Sequence, residues 1–372
     1  MKLVKLNVML VAVILMASCN SKKEEVQETP TLKSVFKDDF YIGAAINIDQ
    51  IEAKNAQEDS IIVKEFNSVT AENIMKSMFV QPEKGKYDFS LTDKFVAYGE
   101  KHDMFIHGHT LIWHSQLAPW MEKIKDSSEM KAFMQDHINT VVTKYKGRID
   151  SWDVVNEALN DDGTLRESVF LKTLGEGYLT DAFKLAEKAD PNVDLYYNDY
   201  NMCLPAKRDG AIRLVKKIKE NGGKVDGIGM QGHWKLTTPT LEEIEKSILA
   251  YSALGVKVAI TELDITVLKN PWEVQGADVN QSFEGSAEMN PYPESLPDSI
   301  QDQLAKRYES IFKLFLKHKD KISRVTFWGF HDGQSWLNDW PIKGRTNYPL
   351  LFDDKLQPKK AYFGLIEIKE AK

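Results

Sequence analysis

The stretch SWDVVNEALN, residues 151–160, starts as a buried strand and then stops behaving like one. Trp152 to Val155 read as sheet wall, while Asn156 and Glu157 arrive where the apolar run meets a polar loop. Taken alone, Glu157 is a solvated loop end. The same shape recurs along the chain. Short apolar segments closing on small or polar residues fall at 40–46, 66–73, 104–113, from 149, 193–201, 225–233, 256–265 and 322–330. Amphipathic stretches such as RDGAIRLVKKIKENG and SIQDQLAKRYESIFKLFLKHKD lie between them, the first closed by Asn221-Gly222 as a helix stop. Strand candidates alternating with helices in this number fit an α/β fold, a single (β/α)8 TIM barrel occupying 36–372. A doubly wound open sheet is the main competitor, but no Gly-x-Gly-x-x-Gly follows the first strand, so nothing supports dinucleotide binding.

Composition bounds the possibilities. The 372 residues are 42% hydrophobic and 28% charged, the values of an ordinary folded protein. A net charge of -7 gives no general attraction to nucleic acid, so an uncharged or weakly basic substrate is expected. The N-terminus reads as an export signal. Lys2 and Lys5 precede an apolar run from Val8 to Met16, then Ala17-Ser18-Cys19. The run is too short to span a bilayer comfortably. A Cys directly after small residues resembles a bacterial lipoprotein leader, with 1–18 removed and Cys19 carrying lipid; a plain cleaved signal peptide is the alternative. Residues 19–35, rich in Lys, Glu, Thr and Pro, then read as a flexible tether. The expected location is outside the cytoplasm on a membrane, with the protein a monomer. Cys203 is the only other cysteine, so no internal disulfide is expected and stability must come from a large core.

The barrel reading carries a chemical expectation, because such folds build their sites at strand C-termini. The residues there are Glu72-Asn73, His107 and His109, Asn156-Glu157, Asn198 and Tyr200, Gln231 and His233, Glu262, and Trp328. Two carboxylates facing each other across a barrel mouth are what glycosidic cleavage requires. One gives a proton to the leaving oxygen, and the other attacks the anomeric carbon or activates water. Glu157 and Glu262 are placed for this, and Glu72, Asn73 and Lys76 suit sugar hydroxyls, which need paired donors and acceptors.

At these residues the chain resembles glycoside hydrolase family ten, the endo-1,4-β-xylanases. WDVVNEA, ITELDI, GHTLIWHSQ, TAEN with Lys76, and YNDYN carry the likeness, in order along essentially all of the chain from Phe36. The resemblance implies Glu157 as acid/base and Glu262 as nucleophile, with net retention and carboxyl groups about 5–5.5 Å apart. It puts Glu72, Asn73, Lys76, His109, Trp113, Gln116, Asn156, Tyr200, Gln231, His233, Trp328 and Trp336 on glycone-binding positions. Xylan and xylo-oligosaccharides are the implied substrates, and no cofactor or metal is implied. Physical roles follow: Glu157 needs a raised pKa, Glu262 needs donors such as His233, and Asn156 faces the sugar 2-hydroxyl. Trp328 and Trp336 would roof the sugar and exclude a 6-hydroxymethyl group.

Rival readings are a metal site built on His107, His109, His233 and Asp332, a non-catalytic glycan-binding barrel, and a retaining β-glucanase. The segment 269–297, with little periodicity, is a loop that either shapes the leaving-group side of the cleft or is a surface insertion.

Overall fold

The computed structural model describes residues 29–271, 274, 279 and 281–369. The expected leader 1–18 and Cys19 lie outside them. Eight parallel strands close into a barrel: β1 Tyr41–Ile46, β2 Ser68–Ala71, β3 Phe105–Gly108, β4 Ser151–Asn156, β5 Asp194–Asp199, β6 Gly227–Met230, β7 Lys257–Thr266 and β8 Ile322–Phe327. Neighbours in sequence pair in space, and the ring is sealed where β8 meets both β1 and β7. The apolar strand runs and the amphipathic helices between them make this closed α/β arrangement the one that hides both faces of the sheet.

The helices carry legible signals. Pro205 opens Pro205–Glu220, and Gly222, at φ 79°, follows it at the expected stop. Thr240 and Glu243 form a capping box ahead of Leu241–Ser252. Asp298–Lys317 presents Leu304, Tyr308, Ile311, Phe312 and Phe315 to the barrel wall.

Two strands differ from the sequence reading. The run 104–113 is broken after Gly108, and Ile112–Trp113 pairs separately along β4. The run 225–233 stops at Met230, and His233–Lys235 rejoins β7 with His233 beside Asp264. Both breaks turn polar side chains from the wall toward the mouth. Leu32–Val35, expected within the tether, is instead a short helix capped by Thr31. Leu32 is buried, and its N–H donates to Glu65 Oε2 at 2.9 Å. The polar composition that marks the tether ends one residue earlier, at Thr31.

Strand alternation sends Trp152 and Val154 outward to the helices, and Ser151 and Asp153 inward. The interior is polar at its floor. Arg324 on β8 reaches across the barrel and donates to Ser151 Oγ at 3.2 Å, with its guanidinium 5.4 Å from the Phe105 ring and 5.8 Å from Tyr196. Tyr196 fits only because its register partner is Gly227, where a Cβ would lie 2.0 Å from the ring. Gly227→Ala is therefore expected to lower unfolding free energy by about 3 kcal/mol, the upper range for overpacking, read as a lower urea midpoint at unchanged m-value.

Candidate active site

A backbone ladder across four strands sets the two glutamates. Glu157 N–H donates to Asn198 O at 2.9 Å, Gln231 N–H to Asp199 O at 3.0 Å, and Glu262 N–H to Gln231 O at 2.7 Å. The strand ends of β4, β5, β6 and β7 are thus locked to one another by main-chain bonds, which no side-chain change can slide. Glu157 sits at φ 58°. That left-handed conformation costs a non-glycine residue about 1–2 kcal/mol and turns the carboxyl out of the wall into the mouth.

Glu157 is buried; its Oε2 accepts from Trp113 Nε1 at 2.8 Å and its Oε1 from Gln231 Nε2 at 2.9 Å. Burial raises its pKa, the nearby charges of Asp199 and Glu262 add to that, and the bonds from Gln231 and Trp113 oppose it without winning. Glu262 goes the other way. Burial alone would raise it, but its contact with His233, the charges of His109 and His233, and the bond from Asn198 bring it below the ordinary carboxylate value. Asn198 Nδ2 donates to Glu262 Oε1 at 2.8 Å, and Thr261 Oγ1 donates to Asn198 Oδ1 at 2.6 Å, which fixes the amide's orientation. His233 bridges Glu262 Oε2 at 3.1 Å and Asp264 Oδ2 at 3.0 Å. Burial would lower the His233 pKa, but Asp264 and Glu262 overcome it and push it up to about 10. The ring is therefore a cation donating from both nitrogens.

Both glutamates line one cavity of about 440 Å³, together with Glu72, Asn73, Lys76, His109, Trp113, Gln116, Asn156, Gln231, His233, Trp328 and Trp336. Lys76 Nζ donates to Asn73 Oδ1 at 2.8 Å and Gln116 Oε1 at 2.7 Å, and lies 4.9 Å from the Trp113 ring centre. Burial pulls its pKa down to about 8 against the pull of Glu72, Glu262 and Glu157. Burial likewise raises Glu72. Asn156 Oδ1 accepts from Asn198 Nδ2 at 3.1 Å, leaving its own amide group for a ligand. Trp328 packs edge-on to His109 at 5.4 Å, and Trp336 stacks on Trp340 at 4.7 Å while its Nε1 donates to Asp264 at 2.9 Å.

Tyr200 is placed differently from the others. It faces an adjoining cavity of about 340 Å³ with Asp161, Asn201 and Asp264; His233, Trp336 and Trp340 border both spaces. The loop 269–297 contributes to each: Gln281 and Ser282 to the first cavity, Asn270 and Pro271 to the second. The residues of the metal reading do not converge. His107 and His109 both turn to Asp153, at 3.0 and 2.8 Å, and Asp332 is paired with Lys359 at 2.7 Å. Among the described residues no group of His, Cys, Asp and Glu is disposed to hold a metal ion.

Asp264, Arg166 and Trp340 are absent from the sequence reading of the site, and one link of Asn198 is too. Asp264 was findable, since it lies two residues beyond Glu262 on the same strand and so on the same face. Asn198 was visible as a strand end, but its link to Glu262 was not. Arg166 and Trp340 come from loops with no periodic signal.

A closed parallel barrel with two buried carboxyl groups biased to opposite protonation states at its strand ends has the layout of a glycoside hydrolase. The chain belongs to glycosyl hydrolase family 10, whose profile matches residues 31–368. It is 43% identical over 349 residues to endo-1,4-β-xylanase A of Xylanibacter ruminicola, covering 92% of this chain and 95% of that one. With an endo-1,4-β-xylanase of Geobacillus stearothermophilus it shares 39% identity over 355 residues, 91% of this chain and 98% of the relative. A solved family 10 endoxylanase from a sugarcane soil metagenome superposes with a TM-score of 0.87 at 45% identity, covering 91% of this chain and 99% of that one.

The pKa directions give a bell-shaped kcat/KM profile. Activity should rise as pH climbs through the lowered Glu262 value and fall as it passes the raised Glu157 value. His233→Asn removes the cation while Glu262 stays buried, so the acid limb should move to higher pH and the maximum should drop about 100-fold. An acid limb unchanged in a folded variant would contradict the assigned role of His233.

Proposed function

We propose that this enzyme, an endo-1,4-β-xylanase, cleaves internal β-1,4-xylosidic bonds of xylan with retention of anomeric configuration. Glu157 serves as acid/base and Glu262 as nucleophile. The observation that carries the assignment of the two roles is the opposite bias of two buried carboxyl groups facing one cavity; retention rests on the likeness to family 10. A protonated acid and an ionised nucleophile are what the first step consumes.

In that step Glu262 Oε bonds to the anomeric carbon as the C–O bond to the leaving sugar breaks. The Glu157 proton goes to the departing oxygen. Glu157, now a carboxylate, then takes a proton from water as the water's oxygen displaces Glu262, which restores both groups. Trp113 and Gln231 occupy one lone-pair position on each Glu157 oxygen and leave the other for the proton. The paired donors and acceptors of Glu72, Asn73, Lys76 and Gln116 suit the hydroxyls of the glycone sugar, and Asn156 the 2-hydroxyl, whose bond strengthens in the transition state. The leaving sugar departs toward the cavity lined by Tyr200 and Asp161. Trp328 and Trp336 close over the glycone and disfavour a 6-hydroxymethyl group, which sets xylan above β-glucan.

Xylan digestion followed by NMR should show β-configured reducing ends first, with carboxymethylcellulose and mannan cut far more slowly. Initial α-product would sink the retaining mechanism, and comparable rates on cellulose would sink the specificity. Glu262→Ala should lose on the order of 10⁴-fold in kcat while still binding xylo-oligosaccharides in calorimetry.

We further propose that the protein is exported and held on a membrane through lipid on Cys19, as a monomer. The support is the leader's order of Lys2 and Lys5, apolar run, and Ala17-Ser18-Cys19. Full-length protein expressed in a bacterium fed radiolabelled palmitate should incorporate label, and Cys19→Ala should not. Unlabelled wild type would leave the plain signal peptide as the correct reading.

A further inference from the structure

After Glu157 the chain loops out and returns, with Leu159 bridging to Leu165, and so delivers Arg166 beneath the acid. This one residue grips three consecutive carbonyls. Its Nε donates to Glu157 O at 2.9 Å, its backbone N–H to Ala158 O at 2.8 Å, and its Nη2 to Leu159 O at 3.2 Å. The same Nη2 donates to Tyr200 Oη at 2.5 Å, and the guanidinium lies 5.7 Å from the Tyr200 ring centre. All of these acceptors are neutral oxygens. An arginine serving only to offset charge would turn its fork to a carboxylate; here the rigid planar donors set geometry.

The Glu157 turn calls for such a device. At φ 58° it holds a left-handed conformation without glycine, which persists only where the surroundings over-determine it. On the N–H side the constraint is Asn198 O; on the carbonyl side it is Arg166. Rotation of that peptide would swing the Glu157 side chain away from Trp113 and Gln231.

We propose that Arg166 is a positioning residue for the general acid. It holds the Glu157 backbone in its left-handed turn, aims the carboxyl proton at the leaving-group oxygen, and ties that turn to Tyr200 in the wall facing the leaving sugar. This rests on the acid/base role given to Glu157 above. Arg166 gives up no proton itself and touches no reacting atom; kcat/KM reads its effect in the step in which Glu157 protonates the leaving oxygen, and its effect on Glu157 as base falls after that step.

Leaving groups distinguish this role from a general structural one. A dinitrophenolate departs without protonation, whereas phenolate needs it. Arg166→Lys and Arg166→Gln are compared with wild type on dinitrophenyl and phenyl β-xylobiosides, which share one glycone. Expected is a loss of about 100-fold in kcat/KM on the phenyl substrate, the scale of general acid catalysis, and a loss within about 3-fold on the dinitrophenyl one. Lys, which keeps a cationic donor group but not the planar fork, should fall between wild type and Gln. Tyr200→Phe, which removes only the far anchor, should steepen the leaving-group dependence in the same direction by a smaller factor and does not depend on the arginine variants folding. Equal losses on both substrates, or an unchanged dependence in Tyr200→Phe, would overturn the proposal alone. A wild type that cleaves neither xylobioside nor xylan would overturn the functional reading and this proposal together.

Discussion

Two carboxyl groups buried in one cleft cannot both ionise freely, and the site is arranged around that constraint. Each is taken out of water, which favours the neutral form of both. The asymmetry comes from where the compensating groups sit. Glu262 faces the cation of His233 and the fixed amide of Asn198. The Glu157 carboxyl accepts only from the neutral donors Trp113 and Gln231, and behind it stands the acidic Asp199. His233 keeps its charge because a second carboxylate, Asp264, lies on its other nitrogen, and Asp264 is in turn bonded by the Trp336 indole. The tryptophan that borders the cavity is thus part of the chain that keeps Glu262 charged. Losing a member of that chain would not remove a contact so much as return Glu262 to the protonation state that burial favours.

This arrangement needs the strand ends held in fixed register. The ladder from Glu157 through Asn198 and Gln231 to Glu262 is main chain throughout, and the barrel cannot slip one strand without breaking it. The polar floor supports the same register from below: Arg324 spans from β8 to Ser151 on β4, and Asp153 on that strand holds His107 and His109. Buried polar groups contribute rigidity when they are paired and destabilise when they are not. The floor is therefore a source of specificity for one alignment of strands, while the apolar outer wall supplies most of the stabilisation.

The architecture was legible because it rests on repeated local signals. Apolar runs ending on polar residues located every barrel strand, and helix stops and caps such as Asn221-Gly222 and Thr240-Glu243 followed ordinary rules. Glu157 was legible because it ends an apolar run with a charge; Glu262 lies inside the run 256–265 and was legible as the second carboxylate, facing Glu157 across the barrel mouth. What escaped depends on partners distant in sequence. Nothing in the run 104–113 announces that it breaks after Gly108, since the break is imposed by pairing of Ile112–Trp113 with β4. Tyr200 reads as one more strand-end group, yet Arg166 and the backbone at Asn201, φ 51°, turn it into the neighbouring cavity. Leu32 sits in a polar stretch whose composition says tether, but the buried leucine, its N–H bond to the Glu65 carboxylate and the Lys33 bond to Val63 O dock it.

Lys76 complicates any reading of the site from pH alone. Lys76, its pKa drawn down to about 8, and Glu157, its pKa raised by burial, line one cavity with Glu72 and Glu262, and the charges of all three carboxyl groups act on the lysine. The position of the alkaline limb set by Glu157 then also depends on the charge state of its neighbours. The two groups differ in what their titration removes. Lys76 bonds Asn73 and Gln116 on the proposed glycone side, so its neutralisation would weaken binding of every substrate that shares a glycone. In its proposed role Glu157 acts on the leaving oxygen, so its loss would scale with how much that oxygen needs a proton. Dependence on the leaving group, and not the position of the pH limb, is therefore what identifies the acid in this site.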